Sequence, residues 1–289
     1  MKTAIIGGAG KMGQWFADFL LKDGKEVVIS GRNKEKLLEI KRQLGVEVAS
    51  NIDAVKSADV VLLSVPIDSF EEVVKQISPY IHTRHIVIDI TSTKEFTVAT
   101  MHQHIKTGLV LGVHPLFGPG ASGVANQNFV LTPTNEEEDA LAQRIRAYLE
   151  ARRARVTLMT PHEHDEMMTI VLGLAHFIAI VSADTLLSSD KWKQLEAVGG
   201  ITYKVLLTLI ESVVSEDPEL YASLQMNLPN LVEIEQLFQK KANKWIDLVR
   251  NKDRQKFAQQ MAALKDRVKK DAPDFGKAYE NMYKIAEGL

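Results

Sequence analysis

The chain has 289 residues, a formal net charge of −2 and no cysteine, and 45% of it is hydrophobic. That length suggests about two domains at roughly 100–200 residues each. The missing cysteines exclude disulfides, thiolate metal sites and a cysteine nucleophile, and the interleaved charges supply neither a basic field for nucleic acid nor a polybasic membrane stripe.

At the N-terminus the apolar run Ala4-Ile5-Ile6 ends at glycine, whereas a secretory core needs about 7–15 apolar residues. No stretch is expected to approach the roughly 20 apolar residues of a membrane span. The expectation is a soluble cytoplasmic protein without nucleic-acid, membrane or metal partners.

The first half alternates short β-branched runs with amphipathic stretches. Residues 3–6 and 27–30 read as strands, each followed by a helix, over 11–21 and 34–44. The runs 60–65, 86–90 and 110–113 are continuously apolar, as strands buried on both faces require. Such alternation predicts parallel pairing through right-handed crossovers. Late strands at 129–132 and 156–159 flank a helix over 136–150. From Pro161 onward only helices are expected, over 162–188, 195–214, 217–225, 229–250, 253–270 and 274–287. The predicted fold is therefore α/β: a doubly wound, mostly parallel dinucleotide-binding domain over 1–160, then an all-helical domain over 161–289.

The chain opens Ile5-Ile6-Gly7-Gly8-Ala9-Gly10-Lys11-Met12-Gly13. Gly8, Gly10 and Gly13 form G-x-G-x-x-G between a predicted strand and a predicted helix, the context that gives this motif meaning. The first glycine allows a tight turn, the second lets the backbone approach a pyrophosphate, and the third lets helix pack on strand, with Lys11 and Met12 in the helix's first turn. An NAD site commonly places Asp or Glu at the tip of the second strand; here Val28-Ile29-Ser30-Gly31-Arg32-Asn33-Lys34 has no carboxylate. Arg32, with Ser30 and Lys34, is expected to clamp a 2′-phosphate, which favours NADP over NAD. Ser64, Val65 and Pro66 follow a third apolar run and are candidates to line the nicotinamide ribose.

Three further segments carry chemistry: Asp89-Ile90-Thr91-Ser92-Thr93-Lys94, His114-Pro115-Leu116-Phe117-Gly118-Pro119, and Glu163-His164-Asp165 followed by Gly173-Leu174-Ala175-His176-Phe177. With the glycine motif, in this order, they resemble the prephenate dehydrogenase family, particularly its archaeal branch. Asp217-Pro218-Glu219-Leu220-Tyr221-Ala222 extends the likeness. The resemblance implies an NAD(P)-dependent dehydrogenase that removes hydride from the carbinol carbon of prephenate while carbon dioxide leaves, a step of tyrosine biosynthesis. It implies His114 as acceptor of the hydroxyl proton, Ser92 as its hydrogen-bonding neighbour, and His176 in the substrate pocket. An arginine for the substrate carboxylate is also implied, but Ser212 stands at its place. Either Lys204 or a basic residue of a partner subunit takes the carboxylate, which is the favoured expectation, or the true substrate lacks that carboxylate. Rivals on the same architecture are arogenate dehydrogenase and other β-hydroxyacid or imine oxidoreductases; a rival of another class is a non-catalytic dinucleotide-binding regulator. His162 and His164 are expected to cap or brace, Asp165 to share a helix face with His176, and His82, His85, His102 and His104 to lie on the surface. A homodimer through the apolar C-terminal helices is expected.

Overall fold

The computed structural model of the protein describes residues 1–272 and 274–288. Eight strands form one sheet: β1 (Lys2–Ile6), β2 (Glu26–Ser30), β3 (Glu47–Val48), β4 (Val60–Leu63), β5 (Ile86–Asp89), β6 (Leu109–Pro115), β7 (Asn128–Thr132) and β8 (Arg155–Leu158). Their order is β3-β2-β1-β4-β5-β6-β7-β8. The order reverses direction between β1 and β4, the switch point at which doubly wound sheets bind ligands. Helices α1 (Lys11–Lys22), α2 (Lys34–Leu44), α3 (Asn51–Ser57), α4 (Ile67–Ile77), α5 (Glu95–His104) and α6 (Glu136–Glu150) connect the strands.

The continuous apolar runs are explained by two cores, one on each face. Ile5, Ile29, Leu62 and Leu111 join one cluster, while Ala4, Ile6, Val28, Val61, Leu63 and Val110 join the other. Alternate residues of a strand point to opposite faces, so each strand feeds both. β1 through β6 pair in parallel, but β7 runs antiparallel to β6, with His114 opposite Val130. The physical reason lies in the connection over 116–127, which contains no helix. A parallel return needs a longer crossover, usually helical. The two-residue edge strand β3 was not among the expected strands; it pairs with β2 after α2 closes on Gly45 at φ 72°.

His85 corrects one expectation. It is fully buried at the start of β5, and its Nδ1 accepts the His82 main-chain N–H at 2.8 Å. A turn that folds its own imidazole back over its amide buries the ring.

Two compact units are present, residues 1–168 with 226–228, and residues 169–225 with 229–289. Helix α7 (Pro161–Met168) packs within the first. The second contains α8 (Ala175–Leu187), α9 (Trp192–Val198), α10 (Ile201–Val214), most of α11 (Pro218–Asn227), α12 (Leu231–Arg250), α13 (Arg254–Asp271) and α14 (Ala278–Glu287). The helix expected over 195–214 is broken at Gly199-Gly200. The Tyr203 ring sits 2.5 Å from where a Cβ on Gly199 would be.

Pro161–Leu187 is one 27-residue helix, whose most apolar 18-residue window has a mean hydropathy of 2.0 and is 17% buried. This corrects the expectation that no stretch approaches a membrane span: by length and composition alone this helix is long and apolar enough to cross one. Gly173 and His176 interrupt the run of large apolar side chains without lowering the average below that of a span.

Candidate active site

The turn after β1 is built by glycine. Gly7 takes the left-handed φ of +88°, and a Cβ there would collide with the Ser64 carbonyl. The tight turn therefore falls one residue before the motif's first glycine. A Cβ on Gly8 would meet Ile29 at 2.6 Å, and one on Gly13 would meet the Gly7 carbonyl oxygen at 2.5 Å. Gly10 is different. It is the N-cap of α1, its only close neighbour would be the Gly7 oxygen at 3.2 Å, and it is exposed. The leading end of α1, with Lys11 exposed and Met12 half-buried behind it, is thus kept clear of side chains where a pyrophosphate would approach.

Neighbouring strand ends clamp this turn. The Ser30 carbonyl accepts the amides of Gly7 and Gly8 at 2.9 and 2.8 Å, and the Ser64 amide donates to Ile6 at 2.8 Å. Val65 lies against Gly7, and the exposed Pro66 starts α4. Ser30 is not placed as expected: its side chain is buried, and Oγ donates to Asn51 Oδ1 at 2.6 Å. Its hydroxyl is committed inside the fold, because β2 stays buried through residue 30. Arg32, two residues on, is exposed, and among the described residues it has no hydrogen-bond or ion-pair partner.

At the same carboxyl edge of the sheet, β6 carries His114, which is 5% exposed. Its Nδ1 lies 2.8 Å from His164 Nε2, the rings edge-on with centroids 5.0 Å apart. His164 is fully buried on α7, its Nδ1 2.6 Å from Asp165 Oδ1. Asp165 in turn accepts the main-chain N–H groups of Lys94 at 2.7 Å and Glu95 at 2.9 Å, at the start of α5. Below this chain lies a fully buried ion pair, Lys94 with Asp89. Asp89 also accepts the Thr91 amide at 2.8 Å and the Thr97 hydroxyl at 2.6 Å. These bonds satisfy charges that would otherwise be very costly to bury. Burial, reinforced by the cationic forms of His164 and Lys94, holds His114 well below the ordinary histidine pKa. Burial also lowers His164, against the opposing pull of Asp165.

Ser92 is half-buried in the turn between β5 and α5, and among the described residues its hydroxyl has no hydrogen-bond partner. The expected bond to the imidazole is absent, and His114 Nδ1 faces His164 instead. Nor does Ser92 cap α5, whose leading amides are held by Asp165. His162 is exposed beside Glu95 at 3.2 Å and Glu166 at 3.5 Å. In the second unit, His176 on α8 meets Tyr221 edge-on at 4.8 Å, and its buried Nδ1 lacks a partner among the described residues. Burial lowers its pKa. The helical face expected to join Asp165 and His176 is broken by a π-helical segment, Thr169–Leu174, which shifts the register between them. Lys204 is exposed on α10 and lines a cavity of about 280 Å³ with Glu196, Tyr203, Leu207, Thr208, Glu211 and Ala286; His176 does not line it. Ser212 is exposed on the same helix, its hydroxyl donating to Leu209.

Sequence reasoning quoted His164, Asp165, Asp89 and Lys94 in motifs without recognising them as one buried network. Their adjacency in two short motifs, each with a carboxylate beside a cation or imidazole, was the available signal.

A family model described as prephenate dehydrogenase, nucleotide-binding domain, matches residues 16–158, and one described as prephenate dehydrogenase, dimerization domain, matches 160–263. A probable arogenate/prephenate dehydrogenase of Methanocaldococcus jannaschii is 34% identical over 266 residues, 90% of this chain and 59% of that protein. The chain spans about three fifths of the length of the curated relatives it matches over most of its own length. A shorter match, 42% over 78 residues, links 24% of the chain to 34% of an F420-dependent NADP reductase of Methanothermobacter thermautotrophicus. Among solved structures, the prephenate dehydrogenase of Aquifex aeolicus with hydroxyphenyl propionate and NAD+ has the same fold, with a TM-score of 0.76 at 22% identity, covering 93% of this chain and 98% of that one. With both domain models matched in order across the sheet domain and the helices, the chain belongs to the prephenate dehydrogenase family.

Proposed function

We propose that the chain oxidatively decarboxylates prephenate to 4-hydroxyphenylpyruvate with a nicotinamide dinucleotide. The observation that carries this reading is His114, held neutral at the same sheet edge as the glycine turn. Gly10 and the start of α1 would take the pyrophosphate, and Ser64, Val65 and Pro66 the nicotinamide ribose. A bound nicotinamide would supply the acceptor for hydride from the carbinol carbon. His114 accepts the hydrogen bond of the carbinol hydroxyl and draws its proton as hydride leaves. The ring carboxylate departs as carbon dioxide, and its bonding pair aromatises the ring. The hydroxyl proton, shared with His114, ends on the phenol oxygen, so no net proton is released. Ser92, unpaired at the neighbouring strand end, is assigned a hydrogen bond to substrate, and His176 a place in the substrate pocket.

NADP is the favoured cofactor. Arg32 is an unpaired guanidinium at the tip of β2, where no carboxylate opposes a 2′-phosphate, and one relative is named for NADP. Lys204 takes the substrate carboxylate. Arogenate is a second reading, because it has an ammonium in place of the keto group and Glu196 and Glu211 share the Lys204 cavity. Functionally the chain divides at 160/161. The helical part forms a homodimer that covers exposed Ile170, Val171, Ile180 and Val181, which keeps the protein soluble and cytoplasmic.

The test offers purified protein prephenate and arogenate, each with NAD+ and NADP+, and follows absorbance of the reduced nicotinamide. If neither substrate is turned over with either cofactor, the reading fails.

A further inference from the structure

We propose that His164, anchored by Asp165, is a positioning residue that fixes His114 in the tautomer protonated on Nδ1 and leaves Nε2 as its basic atom. This rests on the reading of His114 as the proton acceptor.

The assignment follows from donors and acceptors taken in turn. Both oxygens of Asp165 accept main-chain N–H groups at the start of α5. Oδ1 also lies 2.6 Å from His164 Nδ1. A carboxylate oxygen offers only lone pairs, so that imidazole nitrogen must carry the proton. Neutral His164 then has its lone pair on Nε2. His114 Nδ1 is 2.8 Å from that lone pair. Two facing lone pairs at this distance repel, so His114 Nδ1 donates. Its only other ring nitrogen, Nε2, is left with a lone pair.

The remaining alternative is a doubly protonated His164 donating from both nitrogens. Burial opposes this and outweighs the pull of Asp165 and Asp89 toward the charged form. Lys94 adds positive charge beside both rings, burial lowers both pKa values, and Asp89 is already paired with Lys94. Among the described residues, Asp165 is the one carboxylate bonded to His164.

A neutral imidazole on its own samples both tautomers. Protonated on Nε2, His114 could donate to a substrate oxygen but not take a proton from it. The relay therefore selects a base over a donor before substrate arrives. It uses residues 50 and 51 positions beyond His114 in sequence, joined to it only by α7 packing onto the sheet.

Two measurements test this. In protein labelled with 15N-histidine and free of substrate, proton-coupled 15N spectra should show His114 with a protonated Nδ1 and a bare Nε2. In His164→Leu, which keeps apolar bulk and removes the acceptor, His114 should lose that preference, and kcat with prephenate should fall about 100-fold or more with cofactor KM unchanged. In His164→Gln, whose amide oxygen restores an acceptor, the tautomer should be retained and kcat should stay within about tenfold of wild type. A role in packing alone would not separate Gln from Leu by tautomer. The proposal is overturned if wild-type His114 is protonated on Nε2, or if Leu and Gln variants share one tautomer and one kcat. Should His164→Leu not fold, the wild-type spectrum and His164→Gln still decide. The spectra need no substrate, so a protein that turns over neither prephenate nor arogenate yet shows the Nδ1-protonated ring would sink the proposed reaction and leave the tautomer assignment standing.

Discussion

His114 lies at the carboxyl end of a buried strand, and its surroundings tune it rather than its own chemistry. Burial and the nearby cations depress its pKa below the histidine value of about 6.5. A lowered pKa keeps the base neutral at pH 7, and protonation removes activity only as pH falls through the lowered value. The acid limb of kcat/KM should therefore lie below pH 6.5. His114→Asn should lower kcat by roughly two to four orders of magnitude with cofactor affinity nearly unchanged; near-wild-type turnover would remove His114 from the mechanism. Arg32→Ala should raise KM for NADP+ far more than for NAD+, because only NADP+ carries the phosphate a free guanidinium can grip. Equal effects on both cofactors would count against it. Lys204→Ala should raise KM for prephenate at least tenfold, a loss of about 1.4 kcal/mol, and an unchanged KM would place the carboxylate elsewhere.

Among the elements, the β1–α1 turn depends most on the absence of side chains. Gly13 faces the backbone of Gly7 and Gly8, at 2.5 and 2.8 Å from where a Cβ would stand. Main chain cannot move aside as a flexible side chain can. Gly13→Ala should thus destabilise the protein by about 1–3 kcal/mol, as overpacking typically does, and weaken cofactor binding. Thermal melts with and without dinucleotide would measure both; an unshifted melt would mean that α1 has room to move. The same logic of local space explains the break between α9 and α10. Helical periodicity runs on through Gly199-Gly200, but the Tyr203 ring occupies the volume a continuing side chain would need. Antiparallel β7 shows the complementary limit. Its apolar pattern fits either direction, and only the short connection from β6 decides.

For the whole molecule, the exposed apolar helix is the main problem that one chain leaves unsolved. Ile170, Val171 and Leu187 are each more than half exposed, and a second copy covering them is the proposed solution. Light scattering should give twice the mass of the 32.2 kDa chain at micromolar concentration, and Val181→Asp should shift it toward one. A wild-type monomer would refute the dimer. The doubly wound sheet was legible in the sequence because strand burial on both faces writes itself as unbroken apolar runs, and because glycines at fixed spacing have a steric cause that is local. His114 stood out as a strand-end imidazole within a motif, and its role, implied by the family resemblance, is a proposal. Ser30, Ser92 and His164 were not legible. Ser30 bonds Asn51, 21 residues on, His164 faces His114, 50 residues back, and Ser92 has no partner among the described residues. A sequence specifies which side chains can donate and accept, and it places them on strand ends and helix starts. Which donor meets which acceptor is set only when α7 packs onto β6, because hydrogen bonding acts over about 3 Å and that distance exists only in the folded chain.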